Sequence, residues 1–247
     1  MRWLLTLLTA VPLLAMSNLE VAVKAEKAVS GYESSDAKVL MTLINANGQK
    51  SVREMRFQHI ELEEGDRSII TFLKPSDVKG TKLLSHEQIG GDDRQWIYLP
   101  ALKRVKKIAG RNRSGAFMAS EFSYEDIAST DYRNYAYSGD AVPVSYEGAA
   151  CLQGERLPKA KDSGYTKQVV WVDSREFLVR KTEYYDRKQS LLKTAYFDGY
   201  KKIKGVWRIG KIHIVNHQTK KQTILEWVED DVRAGLGEDR FDKRQLK

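Results

Sequence analysis

The sequence predicts a mainly β protein, an antiparallel meander of about ten or eleven strands closed or half-closed into a barrel. Three observations carry that expectation. Turn residues divide the chain at roughly 8 to 14 residue spacing, with Asn47-Gly48 the strongest short hairpin signal. Several strands are apolar on both faces: between positions 206 and 215, Trp207, Ile209 and Val215 share one face, and Val206, Ile212 and Ile214 the other. A sheet with one solvated face alternates cleanly, so helices or a cavity must cover the second face here. Finally, no repeat, low-complexity stretch or Pro/Gly/Ser-rich linker divides the chain, which predicts one domain.

Residues 1–17 read as a secretory leader. Arg2 supplies the positive end, residues 3–14 are apolar, and Ala15 and Ser17 are small residues before an expected cleavage near Ser17. The apolar run is shorter than the ~18 residues that span a bilayer. Residues 18–247 are then the single mature domain. Positions 18–31 suit a helix that stops at Gly31. Strands follow at 37–46, 51–60, 67–73 and 80–86. A further strand at 96–99 ends at Pro100, and another spans 104–108.

A basic, glycine-containing loop, 109–115, leads through Phe117-Met118 into a short helix capped by Ser120 or Ser123, with Glu125 and Asp126 in its first turn. Residues 130–161, rich in Gly and Pro, suggest one strand near 142–146 and long connections. Strands return at 166–172, 176–185, 191–203, 206–216 and 222–228, before a charged end with a short helix near Phe241.

The chain has 41 Lys and Arg against 33 Asp and Glu, and without Arg2 the balance is 40 − 33 = +7. That charge suits anionic lipid surfaces, acidic proteins or nucleic acid, and export disfavours nucleic acid. The single cysteine, Cys151, excludes an intramolecular disulfide, so stability rests on packing. His213 and His217 are four apart, but on a strand they lie roughly 13 Å from each other, too far to share one metal ion. No HExxH, CxxC, DxDxDG or GxSxG pattern is present, and no Gly-Lys-Ser/Thr follows the glycine loop. Glu125 and Asp126 form a carboxylate pair that helix capping explains. The residues point to no enzyme, no metal and no cofactor.

The run WIYLPALKRVKKI…SGAFMASEFSYEDI, with TFLKPSDVKGTKLLSHE before it and KTEYYDRKQSLLKT after it, resembles the outer-membrane lipoprotein-sorting protein family of the LolA-like superfamily. The three motifs come in the expected order, and the likeness spans residues 42–246. It implies one antiparallel sheet curved into an incomplete, unclosed β-barrel, with helices covering the mouth and an apolar cavity for acyl chains. Ala119 stands where the family pattern has a glycine or another small residue, and the ligand-handling arginine of the lipoprotein carrier has no matching position.

The implied role is a periplasmic carrier or sensor of a lipid or lipidated molecule, passing it between an inner-membrane exporter of the resistance–nodulation–division (RND) type and the outer membrane. Phe117, Met118, Phe122, Tyr124, Trp96, Tyr98, Phe72 and Leu83 are the expected lid and lipid contacts. Lys106, Lys107, Arg111 and Arg113 are expected to meet head groups, an anionic membrane or a partner. The other readings are a non-enzymatic interaction accessory of such an exporter, a lipid hydrolase or isomerase, and an envelope nucleic-acid binder.

Overall fold

The computed structural model describes residues 15–91, 93–128 and 131–247. Most of the expected leader, residues 1–14, lies outside the described residues. Helix α1 (Asn18–Val29) begins at a capping box. The Ser17 hydroxyl accepts from the Glu20 amide at 3.2 Å, and the Glu20 carboxylate accepts from the Ser17 amide at 2.8 Å. Met16 and Ser17 also pair with Ala141 and Asp140, so both belong to the folded unit. No helix among the described residues is long and apolar enough to cross a membrane.

Strands β1 (Ser34–Ile44), β2 (Lys50–Ile60), β3 (Arg67–Lys74), β4 (Lys82–His86), β5 (Arg94–Leu99) and β6 (Arg104–Lys107) form one antiparallel meander. A short helix, α2 (Tyr124–Ile127), lies in the connection that follows. The second meander contains β7 (Tyr135–Ala136), β8 (Val142–Tyr146), β9 (Ala149–Pro158), β10 (Tyr165–Asp173), β11 (Val179–Asp186) and β12 (Leu191–Asp198). It ends, after a separate hairpin of β13 (Lys201–Ile203) and β14 (Val206–Arg208), with β15 (Lys211–Asn216) and β16 (Gln222–Val232). Pairing of β1 with β16, from Ser35↔Val232 to Ile44↔Gln222, joins the two meanders. The product is one 14-stranded sheet, β6-β5-β4-β3-β2-β1-β16-β15-β12-β11-β10-β9-β7, with β8 beside β9. Its outermost strands do not pair with each other, so the curved sheet stays unclosed.

The strand number exceeds the expected ten or eleven for two reasons. First, the expected strands at 191–203 and 206–216 are each broken. Gly199 and Gly210 face each other so closely that a Cβ on Gly210 would sit 2.4 Å from the Gly199 carbonyl oxygen, and the chain turns there. Second, residues 130–161 hold three strands where one was expected, because β9 alternates charged, glycine and apolar residues without a clean period.

Register defines the concave face. Val39 opposes Met55, Met55 opposes Phe72, Ile70 opposes Leu83, Leu83 opposes Ile97, and Ala195 opposes Ile214. These residues form the main core. Helix α1 covers the far end of this face, packing Val21 and Ala25 onto Val170 and Val172. The opposite face of β3–β5 carries Ile69, Leu84 and Trp96 in register, and the C-terminal residues Phe241 and Leu246 bury them. The C-terminal cover explains the second apolar face of β3–β5; in the 206–215 stretch, Val206 packs with Tyr32 and Val232, and Ile212 and Ile214 join the main core.

Candidate functional site

The topology forces one segment across the mouth. Because β6 and β7 are the two outer strands of the unclosed sheet, the connection between them must pass from one edge to the other. It does so over the concave face, and it is the segment on which the sequence placed the lid. Phe117 is 0% exposed and packs on Phe72, itself 0% exposed, with ring centroids 5.8 Å apart. Tyr124 meets Phe117 edge-on at 5.6 Å, and Phe122 is also buried. The interior apolar face is therefore filled by this segment, where an open apolar cavity was expected.

Polar anchors hold the segment on both sides. Ser123 caps α2 by a capping box with Asp126, as the sequence suggested. The Asp126 carboxylate also accepts from the Tyr165 hydroxyl at 2.9 Å and pairs with Lys193, with side chains 5% and 3% exposed. Lys193 donates to the Glu121 carbonyl at 2.8 Å, Asn216 donates to the Glu121 carboxylate at 2.6 Å, and the Thr223 hydroxyl accepts from the Glu121 amide at 2.9 Å. Across the mouth, the Arg53 guanidinium donates to the Met118 carbonyl. Glu125 accepts from the Ser163 hydroxyl at 2.8 Å and the Gly164 amide at 2.9 Å, while burial pushes its carboxyl above the ordinary range.

Between these anchors the backbone bends through Met118 (φ 49°) and Ala119 (φ 61°), two successive residues in the left-handed region that glycine favours. The small-residue position of the family pattern thus coincides with a left-handed turn.

The structure does not gather all of the expected contacts. Phe117, Phe122, Tyr124, Phe72 and Leu83 share the concave side, with Met118 half-buried beside them. Trp96 and Tyr98 are on the opposite face, packed with Phe241 and Leu246. They belong to a different layer because side chains alternate along β5, which also carries Ile97 inward. Lys106, Lys107 and Arg111 are exposed. Arg113 parts from them: its side chain is 13% exposed and turned inward, 3.9 Å from Asp93.

Beside the segment lies a cavity of about 570 Å³, lined by Arg113, Glu125, Asp126, Arg156, Tyr165 and Tyr184 among others. A second, of about 330 Å³, lies at the end of α1 and includes Glu26, His59, Asp66 and Glu87. Burial, then the Glu87 charge, lifts Asp66 to about 7, and burial lowers His59 to about 4. Among the described residues no group of three or more His, Cys, Asp or Glu is placed to hold a metal ion. His213 bonds Gln222 at 2.7 Å and His217 bonds Thr194 at 2.8 Å, each on its own partner.

Sequence reading missed Lys193, Tyr165, Arg156 and Arg53. Lys193 carried a usable signal, since it sits at an inward position of a strand whose neighbours two residues away are Leu191 and Ala195.

A family model described as "Uncharacterized protein" matches residues 64–247. Among solved structures, a domain described as an outer-membrane lipoprotein-sorting protein, from Vibrio parahaemolyticus, is 42% identical. That match covers 92% of this chain and 97% of the other, with a TM-score of 0.89. A DUF1329 family protein from Desulfovibrio piger is 28% identical over 93% of this chain and 98% of its own, with a TM-score of 0.86. A LolA superfamily protein from Nitrosomonas europaea shares the fold at 18% identity and a TM-score of 0.71, over 94% and 100% of the two chains. No curated protein matches the sequence. With 42% identity across nearly all of both chains, this chain belongs to the outer-membrane lipoprotein-sorting protein family, and its one unclosed, curved antiparallel sheet is a LolA-like fold.

Proposed function

We propose that this protein is a periplasmic carrier or sensor that binds a lipid or lipidated molecule without covalent chemistry. The ligand's acyl chain lies on the concave face beneath the segment around Phe117. One observation carries the reading: an apolar face formed by both meanders is roofed by a single crossover segment that polar anchors hold and a left-handed bend interrupts. Burying an acyl chain yields about 0.8 kcal/mol per methylene, enough to drive capture with no catalytic group. Phe117, Met118, Phe122 and Tyr124 act as the lid, and Phe72 and Leu83 become ligand contacts when it lifts. The description of the relative from Vibrio as a lipoprotein-sorting domain supports this role. The mature chain works as one domain. Lys106, Lys107 and Arg111 meet anionic head groups, and an RND-type exporter in the inner membrane supplies the ligand for transfer toward the outer membrane.

Native mass spectrometry of protein isolated from its own periplasm tests this directly, with fluorescent fatty-acid and phospholipid probes as a second measurement. A retained lipid, or micromolar probe binding, is expected. A chain that carries no lipid and binds neither probe overturns the carrier reading. The filled interior, with Phe117 at 0% exposure, favours a second reading in that event: a non-enzymatic accessory whose surface contacts an exporter.

A further inference from the structure

The cavity of about 570 Å³ has a charge pattern that the lid and the apolar face do not explain. It is lined by five cationic side chains, Arg113, Arg133, Arg156, Lys159 and Lys161, and by three carboxylates, Glu125, Asp126 and Asp162. Two of the cations are paired, Arg113 with Asp93 and Arg133 with Asp131. Two of the carboxylates are already engaged, Asp126 by Lys193 and Tyr165, and Glu125 by Ser163 and Gly164.

The remaining cations, Arg156, Lys159 and Lys161, have no carboxylate partner among the described residues. Arg156 is the notable one. Strand β9 holds it inside the curve, its Nε donates to Gln168 Oε1 at 2.9 Å, and its guanidinium lies 4.1 Å from the centroid of Tyr135. These contacts, with a side-chain hydrogen bond to Tyr137, fix the plane of the guanidinium while leaving most of its five N–H groups free. A fixed fork of free N–H donors matches the two oxygens of a phosphate or carboxylate. Tyr165 and Tyr184 complete the wall and belong at the same time to the main apolar core. The anion-binding end of the cavity is therefore continuous with the surface proposed for acyl chains.

We infer that this cavity is an anionic head-group site, with Arg156 as the bidentate anchor and Lys159 and Lys161 at its rim, so that the ligand is an acidic amphiphile bearing a phosphate or carboxylate. The inference rests on the carrier reading but is separable from it. The test is calorimetric titration of the whole chain with dodecyl phosphate, dodecanoate, the neutral dodecyl maltoside and inorganic phosphate, all below the micellar range. Wild-type protein should bind the two acidic amphiphiles at least about tenfold more tightly than the neutral one, as expected for hydrogen bonds to a charged group. Arg156→Met keeps an apolar stem, removes the guanidinium and should abolish that preference. Lys159→Gln with Lys161→Gln, on exposed side chains, should reduce the preference without affecting folding, so the test survives if Arg156→Met does not fold.

Equal binding of acidic and neutral amphiphiles by wild-type protein overturns the head-group site and leaves the carrier intact. Failure to bind any amphiphile overturns both. Inorganic phosphate binding as tightly as dodecyl phosphate, with the same loss in Arg156→Met, assigns the site to a free anion and overturns the amphiphile.

Discussion

Replacing Lys193 with methionine is the most direct probe of how the crossover segment is held. The change keeps an apolar stem of similar length in β12 and removes the ammonium that pairs with Asp126. Both side chains are nearly buried, at 3% and 5% exposed, so water cannot replace the lost partner. Breaking a buried pair from one side costs about 3–5 kcal/mol. Asp126 would keep the Tyr165 hydroxyl and the Ser123 amide as donors, which places the loss near the lower end, about 3 kcal/mol. At 1.4 kcal/mol per factor of ten, that is about a hundredfold in the opening equilibrium of the segment.

Hydrogen exchange reads this locally. The amides of Phe117, Ser120 and Tyr124 bond to Phe122, Phe117 and Gly115, all inside the segment, and should exchange about a hundredfold faster in the variant. Amides in β1 and β16, at the centre of the sheet, should be unchanged. An equal acceleration in β1 and β16 would show that the segment opens only when the whole protein unfolds, and it would then be core. No acceleration anywhere would show that the ion pair does not hold it.

Phe117→Ala removes a fully buried ring between Phe72 and Tyr124 and should cost about 3–5 kcal/mol in denaturant unfolding; a loss below ~1 kcal/mol would contradict its place in the core. Ala119→Gly at φ 61° should stabilise the protein by about 0.5–1 kcal/mol, since relief of the left-handed penalty exceeds the added freedom of the unfolded chain, and a lowered melting temperature would count against that bend. Asp66 binds its proton more tightly when folded than unfolded, so it contributes a loss of stability as pH rises from about 4 to about 7. Asp66→Asn should flatten that fall between about pH 4 and about pH 7, and an unchanged urea-midpoint profile would refute the assignment. Lys106→Glu with Lys107→Glu should weaken adhesion to anionic vesicles by about 1 kcal/mol or more per reversed charge, an effect that vanishes at high salt; salt-independent adhesion would remove the basic edge from membrane contact.

The meander was legible because turn chemistry is local. Asn47-Gly48 closes the β1–β2 hairpin, where Gly48 takes φ 80° and its amide bonds the Asn45 carbonyl. The requirement for covers on both faces was legible for a related reason, since side-chain alternation is a property of each strand alone. What covers each face was not. That depends on which strands become the edges, and the edges follow from the long-range pairing of β1 with β16, which nothing in either strand's sequence announces. The same blindness misplaced Trp96 and Tyr98, which alternate away from the lid toward a C-terminal segment about 145 residues further along the chain. It also hid Arg156. A charged residue in an irregular stretch reads as surface until β9 is paired with β10 and Arg156 is found opposite Gln168.

A filled interior and a carrier function are compatible if the segment competes with the ligand for the same face. Capture then requires opening, and the apparent affinity falls by the fraction of molecules that are open. Each ~0.8 kcal/mol of opening cost is offset by about one buried methylene. Short-chain amphiphiles therefore lose the competition, and each further methylene adds to the net gain. The aromatic residues released from Phe72 need not remain in water, because Phe117 and Phe122 can repack on the acyl chain that displaces them. The anchors are placed to permit this. Asp126, Glu125 and Glu121 hold the segment's far end to β12, β15, β16 and the start of β10, while the bend at Met118 and Ala119 is tied to β2 by Arg53. Opening the end that carries Phe117 breaks that tie together with the Phe117–Phe122 and Tyr124–Gly115 backbone bonds, and the anchors at Asp126, Glu125 and Glu121 set its cost and return it when the ligand leaves.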